Sequence, residues 1–165
     1  MTNTRTGLIG LILLLVVACA PAAQPAPEPS ATLDRLLSLV NGARAAGRDC
    51  GGSRLAPTHP LRLEPRLGRA AERHSRDMHA RALGSPRGSD GRSVRERVTR
   101  EGYRWARVGE NYAWSRGFDM TPAKVMRFWL SSPEHCRNLM SPNYTEIGLA
   151  KVGGYWTQVF ARPAP

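Results

Sequence analysis

Glu146-Ile147-Gly148-Leu149-Ala150-Lys151-Val152-Gly153-Gly154-Tyr155-Trp156-Thr157-Gln158-Val159-Phe160-Ala161 is two strand-like runs joined by a pair of glycines. Branched and aromatic residues suit an extended, half-buried backbone. Gly-Gly supplies the positive φ that a two-residue hairpin turn demands. The stretch predicts an antiparallel hairpin with strands over 146–152 and 155–161. A third strand is expected over 110–114.

Upstream, the apolar period changes from two to 3.6. Leu33, Leu36, Leu37, Val40 and Arg44 share one helical face, with Thr32 as N-cap; Asn41-Gly42 and Gly47 weaken the end of that helix. A second helix opens at Glu64-Pro65, where proline's missing N–H costs nothing. Leu67, Ala70, Ala71, His74 and Met78 form its apolar face, and Arg66, Arg69, Arg73 and Arg76 form a stripe on the other side. His74 therefore points inward, as a hydrogen-bonded core histidine or as a ligand. Ser93 with Glu96 is a capping box for a third helix, which Gly102 ends. The fourth opens at Thr121-Pro122, buries Val125, Phe128, Trp129 and Met126, and stops at Ser131-Ser132-Pro133. Residues 162–165 should fray. Helices around a small, mostly antiparallel sheet predict an α+β layered domain.

The chain ahead of this domain reads as an address. Arg5 precedes an apolar run over 8–17, too short to span a bilayer comfortably. Val16-Val17-Ala18-Cys19 resembles the lipobox of bacterial lipoproteins. The resemblance implies a signal peptide over 1–18, cleavage before Cys19 and acylation of that cysteine; the alternative is an ordinary signal with an incidental cysteine. Residues 19–30 hold Pro21, Pro25, Pro27 and Pro29, which suits an extended tether from a membrane anchor to a domain over 31–162, with 163–165 as tail. Ala20 is not Asp, so lipoprotein sorting logic gives an outer-membrane or periplasmic destination in a cell with two membranes, and the cell surface otherwise. With Cys19 lipidated, Cys50 and Cys136 remain as a pair, and an exported pair favours a disulfide over two free thiols.

The 165 residues carry 24 Lys+Arg against 13 Asp+Glu, a net charge of +11. This length argues for one domain. All but two of the basic residues, Lys124 and Lys151, are arginine. Residues 62–107 alone hold 13 Arg and 6 acids. Such a stretch attracts anionic envelope polymers or headgroups, or is simply a solvated face. Export excludes intracellular nucleic acid as the partner.

Gly102-Tyr103-Arg104-Trp105, Gly109-Glu110-Asn111, Trp129-Leu130-Ser131-Ser132-Pro133-Glu134-His135, Tyr144-Thr145-Glu146-Ile147-Gly148 and Tyr155-Trp156-Thr157-Gln158-Val159-Phe160 follow one another in the order found in the CAP superfamily. That superfamily comprises the cysteine-rich secretory, antigen 5 and pathogenesis-related 1 proteins, and its bacterial branch is called SCP-like. Leu39-Val40-Asn41 with Arg44, and His74-Ser75 with Asp77-Met78, are similar to its opening helices. The resemblance implies an α-β-α sandwich with a surface cleft. It implies cleft positions at Glu110 and His135, with Asn111, Ser85, His74 and Tyr155 around them. The sequence departs from the pattern twice: Pro86 stands where bacterial relatives place a histidine, and Tyr155 stands where eukaryotic ones do. A zinc site generally takes three or four N, S or O ligands. Glu110 and His135 alone make a weak pair, so no metal or other cofactor is expected. His79 lies on another helix face from His74, and His59, between Thr58 and Pro60, has no evident partner.

These readings favour a non-enzymatic envelope lipoprotein that binds lipid, glycan or protein. Tyr103, Trp105, Tyr112, Trp114 and Tyr155 would line the cleft by stacking, or else be core. A hydrolase using Glu110 and His135 is the alternative, with Ser115, Ser131 or Ser132 as nucleophile. Neither Gly-x-Ser-x-Gly nor His-Glu-x-x-His occurs to support it. The third reading is an arginine-rich module for anionic polymers.

Overall fold

A computed structural model describes residues 28–165. The expected signal peptide, Cys19 and the expected tether through residue 27 lie outside the described residues, while residues 28–30, expected to belong to the tether, are helical. In chain order the elements are α1 (Glu28–Ala46), β1 (Arg48–Asp49), β2 (Arg54–Leu55), β3 (Arg62–Leu63), α2 (Pro65–Arg81), α3 (Val94–Arg100), β4 (Trp105–Trp114), α4 (Pro122–Ser131), α5 (Pro133–Met140), β5 (Glu146–Val152) and β6 (Tyr155–Pro163).

The sheet has the order β3-β5-β6-β4, with β3 parallel to β5 and the other pairings antiparallel. The hairpin forms as its sequence predicts: Val152 pairs with Tyr155 across Gly153-Gly154. Side chains of β6 alternate between two helical layers. Trp156 and Phe160 pack with Leu36 and Val40 of α1, Trp129 of α4 and Leu139 of α5. Val159 and Ala161 face Leu67, Ala70 and Ala71 of α2 and Val98 of α3. The result is a helix-sheet-helix sandwich. Helix α2 sits so close to the sheet that a Cβ on Gly148 would fall 2.0 Å from the Leu67 carbonyl carbon.

Several local expectations change. Helix α1 begins at Glu28, so Thr32 lies inside it instead of capping it. It also runs through Asn41-Gly42. The Asn41 side chain donates to Leu61 O and accepts from Leu61 N–H, so a tertiary clasp offsets poor helix propensity. Phe128 is 46% exposed while Met126 is buried, because Val125 and Trp129 set the i, i+4 line of the buried face. Pro133 ends α4 and also opens α5, a fifth helix that the sequence reading takes only as a stop. Strand β4 begins five residues earlier than expected, at Trp105. The tail does not fray: Arg162 pairs with Arg107, and Ala164 N–H donates to Arg104 O.

Cys50 and Cys136 form a disulfide across 86 residues, tying the end of β1 to α5. Replacing both by serine should cost about 3 kcal/mol, chiefly by freeing the unfolded chain. Denaturant unfolding of the variant against the oxidised protein measures this; a difference below about 1 kcal/mol would show that the loop is already restrained in the unfolded chain.

Candidate functional site

Strand β4 is an edge of the sheet, and its alternation divides the candidate residues. Glu110, Tyr112 and Trp114 fall on the α2 side, while Asn111 and Ala113 fall on the side of α4 and α5.

Glu110 meets α2 and α3. Its Oε2 accepts from Arg97 Nη2 at 2.5 Å, and its Oε1 lies 3.7 Å from His74 Nε2. The pair is inside the protein, with side-chain exposures of 7% for Arg97 and 6% for Glu110. Arg97 Nη1 also donates to Arg92 O at 2.8 Å and to Pro86 O at 3.3 Å. One guanidinium therefore holds both Glu110 and the loop that follows α2. Pro86 contributes a backbone carbonyl where its side chain offers no ligand. The Ser85 hydroxyl closes a turn, accepting from Arg87 N–H and donating to Arg87 O.

Burial sets the electrostatics. It pushes the Glu110 carboxyl up to about 7, against the pull of Arg97. It also pulls His74 down to about 4, with Arg97 adding to the effect. Thus His74 is a neutral imidazole at pH 7. His74 is a core histidine, as its spacing predicts; the Ser85 backbone is its polar neighbour, though at a geometry too poor for a full hydrogen bond. Its ring meets Tyr112 edge-on, with centroids 6.2 Å apart.

The two shifts have opposite consequences for stability. From pH 4.5 to about 7 folded Glu110 keeps a proton that the unfolded chain releases. Its contribution is full below 4.5 and lost as pH rises through 7. His74, shifted from 6.5 to about 4, does the reverse. Its contribution is full above 6.5 and lost as pH falls through 4. The slopes oppose each other across the shared window. Glu110→Gln removes one of them, so stability of that variant should rise by about 3 kcal/mol from pH 4 to 6.5. Urea unfolding across this range measures the slope, and the same pH profile in variant and parent would contradict it.

On the other face, Asn111 is a structural clasp. Its Nδ2 donates to His135 O and to Gln158 Oε1, and its Oδ1 accepts from Asn138 Nδ2. Asn138 also donates to Glu110 O. His135 thus joins β4 through its backbone. Its ring packs on Phe128 at 5.7 Å, and burial lowers its pKa against the opposing pull of Glu134. The group holding the Glu110 carboxyl is Arg97, with His74 3.7 Å away, and not His135. Glu110 is thus tied through its side chain to Arg97.

Tyr155 is buried at the far end of the hairpin, opposite Trp114, with its ring against His79. Glu110 pairs with Val159, four residues along β6 and roughly 13 Å away, so Tyr155 does not join the group around Glu110. Tyr103 is also core and donates to the Glu146 carboxylate. Half-buried Trp105 donates to Thr99 and lies beneath Arg95. Tyr112 and Trp114 do stack, 6.1 Å apart, and Trp114 is exposed. His59 finds a partner in Tyr144 O at 2.9 Å. The Ser115 and Ser131 hydroxyls donate to the carbonyls of Phe118 and Phe128.

The donor set does not suit a divalent cation. Among the described residues no three His, Cys, Asp or Glu side chains converge. The carboxylate that would anchor a metal already holds a guanidinium, whose charge repels one. Arg97 is the residue that sequence reasoning missed. Its signal was present: it stands three residues after Val94 and next to Val98, on the inward face of a seven-residue helix.

The model of the CAP, or cysteine-rich secretory protein, family matches residues 37–160. The chain belongs to the CAP family. Its similarity to the YkwD protein of Bacillus subtilis (strain 168) is 30% identity over 103 residues, 61% of this chain and 39% of that protein. The chain therefore matches well under half the length of that CAP relative. Among solved structures, an extracellular protein of Bacillus anthracis containing an SCP domain superposes with a TM-score of 0.71 at 20% identity, over 86% of this chain and 45% of that one. An outer surface protein of Borrelia burgdorferi superposes with a TM-score of 0.69 at 14% identity, over 82% and 95% of the two chains. These likenesses establish the CAP fold, and the α-β-α sandwich implied by the sequence is the one observed.

Proposed function

We propose that this CAP chain is exported, is held at the membrane through a lipidated Cys19, and acts as a non-enzymatic ligand-binding module of the cell envelope. The observation that carries the non-enzymatic part is the Arg97–Glu110 ion pair at 2.5 Å. A general base must be open to a substrate or a water, and Glu110 is buried and engaged. His135, its expected partner, is set apart on Phe128. Export is supported by the signal-like run over 8–17, by the disulfide, and by relatives described as extracellular and outer-surface proteins. Lipid, glycan and protein remain the ligand classes.

Two measurements test the reading. Casein and nitrophenyl ester hydrolysis should stay at background. Turnover that disappears in folded Glu110→Gln would replace the module by a hydrolase. Cys19→Ala should move the protein from the membrane pellet to the soluble fraction; retention in the pellet would remove the anchor.

A further inference from the structure

A cavity of about 310 Å³ opens between α2, the loop over 88–92 and α3. It shares His74 and Arg97 with the surroundings of Glu110, and its lining is cationic. Arg73 and Arg76 come from α2, Arg92 from the loop, and Arg97 and Arg100 from α3, against Asp77 and Asp90. We infer that this cavity is a binding site for a dianionic phosphate group. The inference rests on the binding-module reading and names the ligand chemistry.

Three observations support it. First, the two acids are already committed to closing the loop. Asp77 accepts from Arg81 at 2.7 Å and from Ser89 N–H at 3.0 Å, which pins the loop to α2. Asp90 accepts from the backbone and side chain of Arg92. Second, the arginines keep donors in reserve. Arg73 engages Glu101 through Nε, and Arg76 engages Glu72 through Nη2. Each guanidinium has five N–H bonds, so most of each fork is available to an anion. Arg100 stands 4.0 Å from Asp90, beyond hydrogen-bond reach. Third, the wall includes Nε of Arg97, buried without a partner among the described residues, and the fully buried His74 imidazole, whose one polar neighbour beyond Glu110 is the Ser85 backbone. Such atoms are costly unless something meets them.

The charge balance selects the ligand. Five arginines line the cavity against two aspartates, a net positive lining, and His74 adds no charge at pH 7. Such a lining favours a doubly charged phosphate over a singly charged carboxylate. Arginine forks also bind phosphate oxygens two at a time. The cavity is at the small end of ligand sites, which suits a terminal phosphate with part of what bears it. That group can sit on a soluble sugar phosphate or on a lipid headgroup.

The test is calorimetry of the full chain with inorganic phosphate at constant ionic strength. Binding should appear, and it should weaken at least tenfold in Arg76→Gln and in Arg73→Ala. Both side chains are exposed, so these variants should keep the parent's melting temperature. Arg127→Ala, on α4 in the other helical layer, should bind as the parent does. No heat at millimolar phosphate, or equal weakening in all three variants, would overturn the site. Vesicles of phosphatidylcholine with phosphatidic acid identify the source: capture beyond phosphatidylcholine alone assigns a lipid headgroup, while free phosphate without capture assigns a soluble one. Casein hydrolysis followed in the same samples keeps the two readings apart. Hydrolysis would overturn the module, whereas absent phosphate binding without hydrolysis would overturn only this site.

Discussion

Arg44→Met should destabilise the protein by about 5 kcal/mol, a larger loss than breaking the disulfide or the Arg97–Glu110 contact. Arg44 is fully buried on α1 and bonds to backbone carbonyls from three separate segments. Its Nε donates to His59 O at 2.8 Å, its Nη1 to Leu139 O at 2.7 Å and Ser141 O at 3.0 Å, and its Nη2 to Tyr144 O at 3.4 Å. It therefore closes the loop before β3, the end of α5 and the approach to β5 around one planar group. Hydrogen bonds to a charged donor contribute about 1.5–3 kcal/mol each, and these four share one side chain, so they do not simply add. Methionine fills similar volume but leaves the carbonyls unmet. Burial lowers the Arg44 pKa to about 10, so the donor is charged at pH 7. Arg44→Lys should recover only part of the loss, since an ammonium lacks the fork. Urea unfolding checks both variants, and a Met variant within about 1 kcal/mol of the parent would mean that water replaces the guanidinium.

Arg44 also shows what a one-dimensional reading captures. Its spacing with Leu33, Leu36, Leu37 and Val40 places it on the buried face of α1, and it is buried there. Its acceptors lie 15 to 100 residues away, so the reason for burying a charge appears only once the loops converge. Helix α2 was legible almost in full, because its apolar face and its opening proline are local signals that agree. Helix α5 was not, because Pro133 carries two meanings and only packing selects between them. The site follows the same division. Glu110 and His74 stand out individually in the sequence, but their 3.7 Å approach depends on the register of β4 against β6 and on α2 lying over that sheet. Arg97 was hidden among twelve other arginines in its stretch, where composition gives no way to separate an inward guanidinium from solvated ones. The valines beside it were the only local clue.

Arg97→Ala should cost about 4 kcal/mol, because it removes the buried charged donor shared by Glu110, Arg92 O and Pro86 O, and the Glu110 carboxyl, already raised by burial to about 7, must then stay protonated. Replacing both partners, Arg97→Leu with Glu110→Leu, should return part of that loss, since the buried acid is gone while Arg92 O and Pro86 O still lack their donor. A double-mutant cycle by denaturant unfolding gives the coupling, and strictly additive losses would show that the pair is not a unit. The single variant also bears on metal chemistry. If Arg97 merely stands in for a cation, its removal should let zinc bind at Glu110 and raise the melting temperature. The geometry gives the opposite expectation. His74 has a nitrogen near the carboxylate, but Pro86 offers no side-chain donor and the His135 ring is turned to Phe128, so three ligands do not assemble. Zinc should therefore leave the melting temperature of Arg97→Ala unchanged. A zinc-dependent rise would mean that a metal site survives under the guanidinium, and that one arginine separates this chain from a metal-binding one.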